Sequence, residues 1–393
     1  MSIRLSARVQ RIKPSPTLAV TARAAELRAQ GRDVIGLGAG EPDFDTPEHI
    51  KQAAIESLAR GETKYTPVDG TPALKQAIID KLQRDNGLSY KAAQILVSCG
   101  AKQSFFNLAQ ALLDSGDEVI IPAPYWVSYP DMVLVADGKP VVIEAGMDAH
   151  FKITPEQLEA AMTPRTRLLV LNSPSNPTGV AYSRAELQAL GEVLKKHPDV
   201  LIVTDDIYEY ILWNDEGFNN IAMAVPELAD RTIVINGVSK GYSMTGWRVG
   251  YAAGPAALIA AMKKVQSQST SNPASLSQAA SVAALNGDHA PVKDMVKAFR
   301  ERHDFVYKAL NELPGVSCLP SDGTFYAFPS FQGVIDRLDG VSNDVELGEY
   351  LLEKAEVALV PGSAFGCPGH MRLSFATSME NLEKALQRIA EAL

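Results

Sequence analysis

A mainly parallel α/β sheet enclosed by helices, followed by a smaller α+β unit, is the fold class this sequence predicts. Three observations predict it. Short apolar runs rich in β-branched residues alternate with helical patterns through the middle of the chain. Most of those runs are continuous rather than alternating, as in a sheet covered on both faces. From about residue 290 the order changes to helix, strands, helix.

The elements follow in order. Residues 17 to 30 read as an Ala-rich helix stopped by Gly31. Strands are expected at 95–98, 118–121, 141–144, 167–171, 200–204 and 232–235. After the first, Phe105, Leu108, Ala109 and Leu112 fall at i, i+3, i+4 and i+7, one face of a helix. A helix start is expected near Ser183. Beyond 290, strands are expected near Ser317 and Phe325. The last helix is expected to open on a capping box of Thr377 and Glu380. Its apolar stripe is Met379, Leu382, Leu386, Ile389 and Leu393.

Bulk properties narrow the function. At 393 residues the chain is too long for one ordinary core, so two domains are expected. A net charge of −9 argues against a nucleic-acid partner, because phosphate binding needs a basic face. The cysteines Cys99, Cys318 and Cys367 are scattered and odd in number, which fits a reducing cytoplasm rather than a disulfide framework. No apolar run reaches the roughly 18 residues of a membrane helix. The N-terminal stretch lacks the apolar core of a secretory signal; an organelle presequence is the weaker alternative.

Chemistry-bearing residues cluster where strands end. Lys240 follows the strand at 232–235 within Ser239-Lys240-Gly241-Tyr242-Ser243, and a partly desolvated lysine there can form a Schiff base. Arg248 could return to fork onto a phosphate. Asn172-Ser173-Pro174-Ser175-Asn176-Pro177 is a rigid turn able to aim the Asn176 amide at a ligand oxygen. Asp205 and Asp206 end another strand; without a nearby histidine they suit a ring nitrogen better than a metal, and Tyr208 could donate to a phenolate oxygen. Gly100 opens a helix whose free N–H groups could face a phosphate. The run Gly36-Leu37-Gly38-Ala39-Gly40 has GxGxG rather than GxGxxG spacing, which disfavours a dinucleotide site; close backbone approach to a ligand is the better reading. No metal site is expected.

The strings AGEPDFDTP, TKYTP, PYWVSYP, NSPSNPTG, SKGYSMTGWRVGY and MRLSFATS, in this order, resemble the class I/II, fold type I, pyridoxal phosphate (PLP)-dependent aminotransferases. The resemblance spans nearly the whole chain and is strongest to the thermophile-like branch of bacterial aspartate aminotransferases. It implies a large domain at 46–289 that binds the cofactor. Residues 1–45 would form an N-terminal arm and part of a small domain, completed by 290–393. Lys240 would bond the cofactor aldehyde and later shuttle a proton. Asp205 would keep the pyridine nitrogen protonated, Tyr208 and Asn176 would contact the ring oxygen, and Trp126 would stack on the ring. Gly100, Ala101, Lys102, Ser239 and Arg248 would hold the phosphate, with Tyr65 reaching the phosphate of the neighbouring subunit in a homodimer with shared sites. Arg372 and the Gly40 backbone would bind the substrate α-carboxylate, beside Trp126 and Asn176.

Two departures stand out. No motif places a dedicated arginine for a substrate side-chain carboxylate; Lys13, Ser15 and Thr17 are the candidates. Gly237 stands where many relatives carry Ser. The implied activity is transamination of amino acids and 2-oxo acids, foremost L-aspartate with 2-oxoglutarate. An aromatic or prephenate aminotransferase and a β-lyase are the alternatives on the same fold. A regulatory module would need a DNA-binding segment that residues 1–16 are too short to supply, and a nicotinamide oxidoreductase is the remaining rival.

Overall fold

A computed structural model of the protein describes residues 3–14 and 16–393. Ser15 lies outside the described residues. The first strand, β1 (Ile35–Gly36), pairs in parallel with β10 (Val357–Ala358), so the N-terminal segment is held against the C-terminal region.

The centre is a seven-stranded sheet. Its members are β2 (Ile95–Ser98), β3 (Glu118–Ala123), β4 (Lys139–Glu144), β5 (Thr166–Asn172), β6 (Leu201–Asp205), β7 (Thr232–Gly237) and β8 (Gly250–Ala253). They are ordered β2-β8-β7-β6-β5-β3-β4. All neighbours are parallel except β8, which runs antiparallel to both β2 and β7. The six expected strands therefore exist, each within two residues at either end. The eighth strand was not expected: Gly250-Tyr251-Ala252-Ala253 carries little β-branched character.

Alternate residues feed opposite cores, as the pleat requires. Val119, Ile121, Val170, Val203 and Ile235 pack with Phe105, Leu108 and Met262 on one face. Ile120, Leu169, Leu171 and Ile202 pack with Leu187, Leu190 and Leu194 on the other. Helices Ala101–Leu112 and Ala256–Ser267 cover the first face, and Arg184–Lys195 covers the second. That last helix starts as expected, with Ser183 accepting from Glu186 N in a capping box.

The remaining strands, β9 (Tyr326–Ala327), β11 (Val360–Pro361) and β12 (Met371–Ser374), form an antiparallel sheet ordered β11-β12-β9. Helix Ala290–Asn311 and the last helix, Met379–Ala392, pack near it. The expected N-cap of the last helix is corrected by one residue. Ser378 accepts from Asn381 N at 3.2 Å, and the Thr377 hydroxyl instead accepts from the Asn381 side chain at 3.0 Å. Near Ser317 there is only an isolated bridge to Ser330. Among the described residues no helix is long and apolar enough to cross a membrane, and no cluster of His, Cys, Asp and Glu could hold a metal ion.

Candidate active site

The carboxyl ends of β5, β6 and β7 open onto one cavity of about 330 Å³, within the range small-molecule sites occupy. In parallel sheets this is where ligands bind, because successive strand-end loops converge there. Ala101, Lys102, Trp126, Asn176, Asp205, Tyr208, Ser239, Lys240, Arg248, Arg372 and Gly40 all line it. Residues from 17 to 372 are thus gathered by folding alone.

Lys240 donates to the carbonyl of Gly40, and withdrawal from water inside the cavity pushes its amine down to about 8. Arg372 and Arg248 push in the same direction, against Glu41 and Asp205. An amine that loses its proton near neutrality can attack a carbonyl carbon and exchange protons.

Asp205 is the last residue of β6. Burial pushes its carboxyl up to about 6, opposed by hydrogen bonds from the Tyr129 hydroxyl at 2.5 Å and from Ile207 N at 3.4 Å, and by Lys240. A buried carboxylate with so few protein partners is suited to pair with a cationic ring nitrogen. Three residues on, Tyr208 is buried and its hydroxyl lies 3.1 Å from that of Tyr326. Burial holds the Tyr208 phenol well above its ordinary range, so it stays a proton donor.

The end of helix Ala101–Leu112 supplies the anion-binding corner. Gly100 caps it at φ 91°, a conformation side chains disfavour, and a Cβ there would stand 2.6 Å from the Arg248 guanidinium. Arg248 itself adopts φ 55°, rare for a residue with a side chain, and donates to Thr245 O at 2.9 Å and Cys99 O at 3.4 Å. The geometry brings a guanidinium, the Ser239 hydroxyl and free helix N–H groups to one place, which fits a phosphate. Gly100 is not itself among the cavity-lining residues; it acts by letting Arg248 approach.

Across the cavity, Arg372 on β12 is 2% exposed. It donates to Asn176 Oδ1 at 2.9 Å and Gly38 O at 2.8 Å, while its Nε is buried without a partner. The guanidinium lies 4.4 Å from the Tyr326 ring centre and 4.9 Å from that of Phe365. A flat, buried fork with an unused N–H matches a planar carboxylate. Trp126 is half-buried, with Lys102 Nζ 4.9 Å from its ring centre.

Lys13 falls outside this cavity, and so does Tyr65, whose expected place is the phosphate of a neighbouring subunit. Tyr65 is 93% exposed. Lys13 is exposed beside Asp131, also outside the lining, whereas Thr17 and Leu18 are in it. Three contributors were not singled out from sequence. Tyr129 supports Asp205; Tyr326 touches both Tyr208 and Arg372; Asn172 donates to Asp205 O at 2.9 Å and accepts from Asn176 N at 2.9 Å, stapling two strand-end loops. Asn172 and Tyr129 were within quoted strings without a role of their own; nothing local marked Tyr326.

Comparison with known proteins gives the same answer throughout. The family described as "Aminotransferase class I and II" matches residues 32–389. The "Aspartate/prephenate aminotransferase" of Nitrosomonas europaea is 62% identical over 396 residues, covering 100% of both chains. The "Aspartate aminotransferase" of Geobacillus stearothermophilus is 52% identical, covering 98% of each. Among solved structures, the aspartate aminotransferase from Rhizobium meliloti superposes with a TM-score of 0.96 at 51% identity, covering 100% of this chain and 99% of that one. That of Thermus thermophilus with maleate gives 0.94 at 46%, covering 100% of both. Matched by the family model over most of its length and by full-length relatives at 50–62% identity, the chain belongs to the class I and II aminotransferases, the PLP-dependent enzymes of fold type I.

Proposed function

We propose that this aminotransferase passes the amino group of L-aspartate to 2-oxoglutarate, yielding oxaloacetate and L-glutamate in two half-reactions at one cavity. The observation that carries the reading is the placing of Lys240 and Arg372 on the same cavity, one for the α-amino end of a substrate and one for its α-carboxylate. PLP, when bound, supplies an electron sink for the pair released at the substrate α-carbon.

The chain's own residues do the rest. Asp205 would pair with the ring nitrogen, Tyr208 and Asn176 would contact the ring oxygen, Trp126 would lie against the ring, and Ser239, Arg248 and the N–H of Ala101 would hold the phosphate. Arg372 binds the α-carboxylate through its fork and fixes the Cα–H bond relative to Lys240. Lys240, whose amine titrates at about 8, takes the proton from Cα and returns it on the far side of the transfer. A second carboxylate on the substrate needs a second cation. Lys102, Lys240, Arg248 and Arg372 are the Lys and Arg residues lining the cavity, and three of them have other tasks. That leaves Lys102, beside Trp126, in preference to Lys13 and to its expected phosphate role.

A second reading is favoured by the 62% identity to an aspartate/prephenate aminotransferase: prephenate as a further amino acceptor. Its ring would lie against Leu18 and Trp126. We also propose a homodimer. Tyr65 lies outside its own cavity, and Ile55 and Leu58 are exposed on the nearby helix Glu48–Ala59. Buried against a second copy, they would bring Tyr65 to the partner's phosphate. The division at residues 45 and 289 and a cytoplasmic location, in keeping with three unpaired cysteines, complete the reading.

Half-reactions test it. Holoenzyme mixed with single amino acids should lose its yellow colour fastest with aspartate and glutamate, and Lys102→Ser should slow these two far more than alanine. Release of the amino group as free ammonia, rather than its retention for a 2-oxo acid acceptor, would overturn transamination. Equal slowing of alanine would overturn the role of Lys102.

A further inference from the structure

Tyr326 sits at the junction of the two halves of the site. Its strand β9 pairs with β12 so that Tyr326 faces Ser374, and Arg372, two residues from Ser374, projects to the same side of the sheet. The ring thereby lies under the Arg372 guanidinium, 4.4 Å away, while its hydroxyl reaches across to within 3.1 Å of the Tyr208 hydroxyl. The side chain is 1% exposed overall but still lines the cavity. Gly40 permits this approach: a Cβ there would stand 3.0 Å from the Tyr326 oxygen.

Burial holds both phenols above their ordinary range, so each carries one proton at working pH. Two such hydroxyls share one hydrogen bond. If Tyr208 donated it, nothing would remain for a ring oxygen in the cavity. If Tyr326 donates, the Tyr208 proton is free, and Tyr208 becomes a stronger donor by polarisation along the chain.

We propose that Tyr326 is a positioning residue with two separable tasks: its hydroxyl sharpens Tyr208 as a donor to the cofactor ring oxygen, and its ring holds Arg372 flat for the substrate carboxylate. The first task rests on the reading that Tyr208 faces that oxygen. The second rests on the Arg372 reading alone.

Holoenzyme variants separate these tasks by two measurements that need no turnover. One is the pH midpoint of the visible absorbance change of the lysine-bound cofactor. The other is the dissociation constant of succinate, a dicarboxylate with no amino group to transfer. Removing a donor from the ring oxygen leaves that oxygen more basic and raises the midpoint. Tyr208→Phe should raise it by about one unit, the worth of one such hydrogen bond. Tyr326→Phe should raise it by a smaller step of about 0.3 units. In the Tyr208→Phe background, Tyr326→Phe should add nothing, because it acts through Tyr208. Tyr326→Phe keeps the ring and should leave succinate binding within about twofold, whereas Tyr326→Leu should weaken it about tenfold.

A midpoint moved by Tyr208→Phe but not by Tyr326→Phe would overturn the relay and leave the Tyr208 assignment standing. A midpoint unmoved by Tyr208→Phe would overturn that assignment and the relay together. Wild-type succinate affinity in Tyr326→Leu would overturn the supporting role of the ring.

Discussion

The Tyr129 hydroxyl donates to Oδ2 of Asp205 over 2.5 Å, and both groups are buried. Tyr129 comes from helix Ser128–Val135 and Asp205 from the end of β6, so the contact exists only in the folded chain. It opposes the burial that raises the Asp205 carboxyl, and so favours the anion that a cationic ring nitrogen needs. Hydrogen bonds to charged groups contribute about 1.5–3 kcal/mol, so Tyr129→Phe should weaken PLP binding by about tenfold or more. Equilibrium dialysis of apoenzyme against PLP checks this; unchanged affinity would show the contact to be structural only.

Asp205 costs the apoprotein stability. Its carboxyl is pushed up to about 6 from an ordinary 3.8, so between these pH values the folded chain holds a proton the unfolded chain has lost. Its contribution is most favourable below about pH 4 and is lost as pH rises through about 6. Asp205→Asn should therefore stabilise the apoprotein at pH 8 by roughly 1–3 kcal/mol and hardly at all at pH 4. Urea unfolding at the two pH values reads the difference. The same variant should lose most of its transaminase activity, since the ring nitrogen then lacks its counter-charge.

How much of this was legible beforehand follows from how each residue earns its place. Lys240, Asn176 and Asp205 sit where apolar runs stop, and a strand end is a local signal. Arg372 lies inside a short strand and was identified only because its string resembles a known family. Tyr326 carried no local signal: it starts a two-residue strand and acts through Tyr208 and Arg372, 118 and 46 positions away, while Tyr129 lies within PYWVSYP but nothing there pointed to Asp205, 76 positions away. Strand β8 was missed because small residues carry it. A Cβ at Gly250 would stand 2.1 Å from Ala101 N, so close packing against a helix end, rather than strand propensity, selects that sequence.

With Lys240 as the residue that takes up PLP, its amine, pushed down to about 8 by burial, should set the pH dependence of cofactor loading. Only the neutral amine attacks the PLP aldehyde, so loading of the apoenzyme should slow by about tenfold per pH unit below that value and level off above it. Lys240→Ala should lose at least about a thousandfold in turnover, because covalent attachment and proton transfer vanish together. Stopped-flow absorbance measures the first and steady-state assays the second. A loading rate independent of pH between 6 and 9 would show that another group takes up the aldehyde.

On the proposed reading Arg372 binds the α-carboxylate common to all amino acids, so its loss should not discriminate among side chains. In Arg372→Leu the carbonyl of Gly38 and the Asn176 amide oxygen lose their donors, and an incoming carboxylate finds no fork. Truncating one partner of a buried charged pair costs about 2–5 kcal/mol, so kcat/KM should fall by at least about thirtyfold for aspartate, glutamate and alanine alike. Arg372→Lys should recover little of this, because an ammonium cannot replace two parallel N–H donors held flat between Tyr326 and Phe365. Steady-state kinetics on the three donors checks the pattern. If aspartate and glutamate suffered while alanine did not, Arg372 would be binding the side-chain carboxylate, and the two ends of the substrate would have to be exchanged in the cavity.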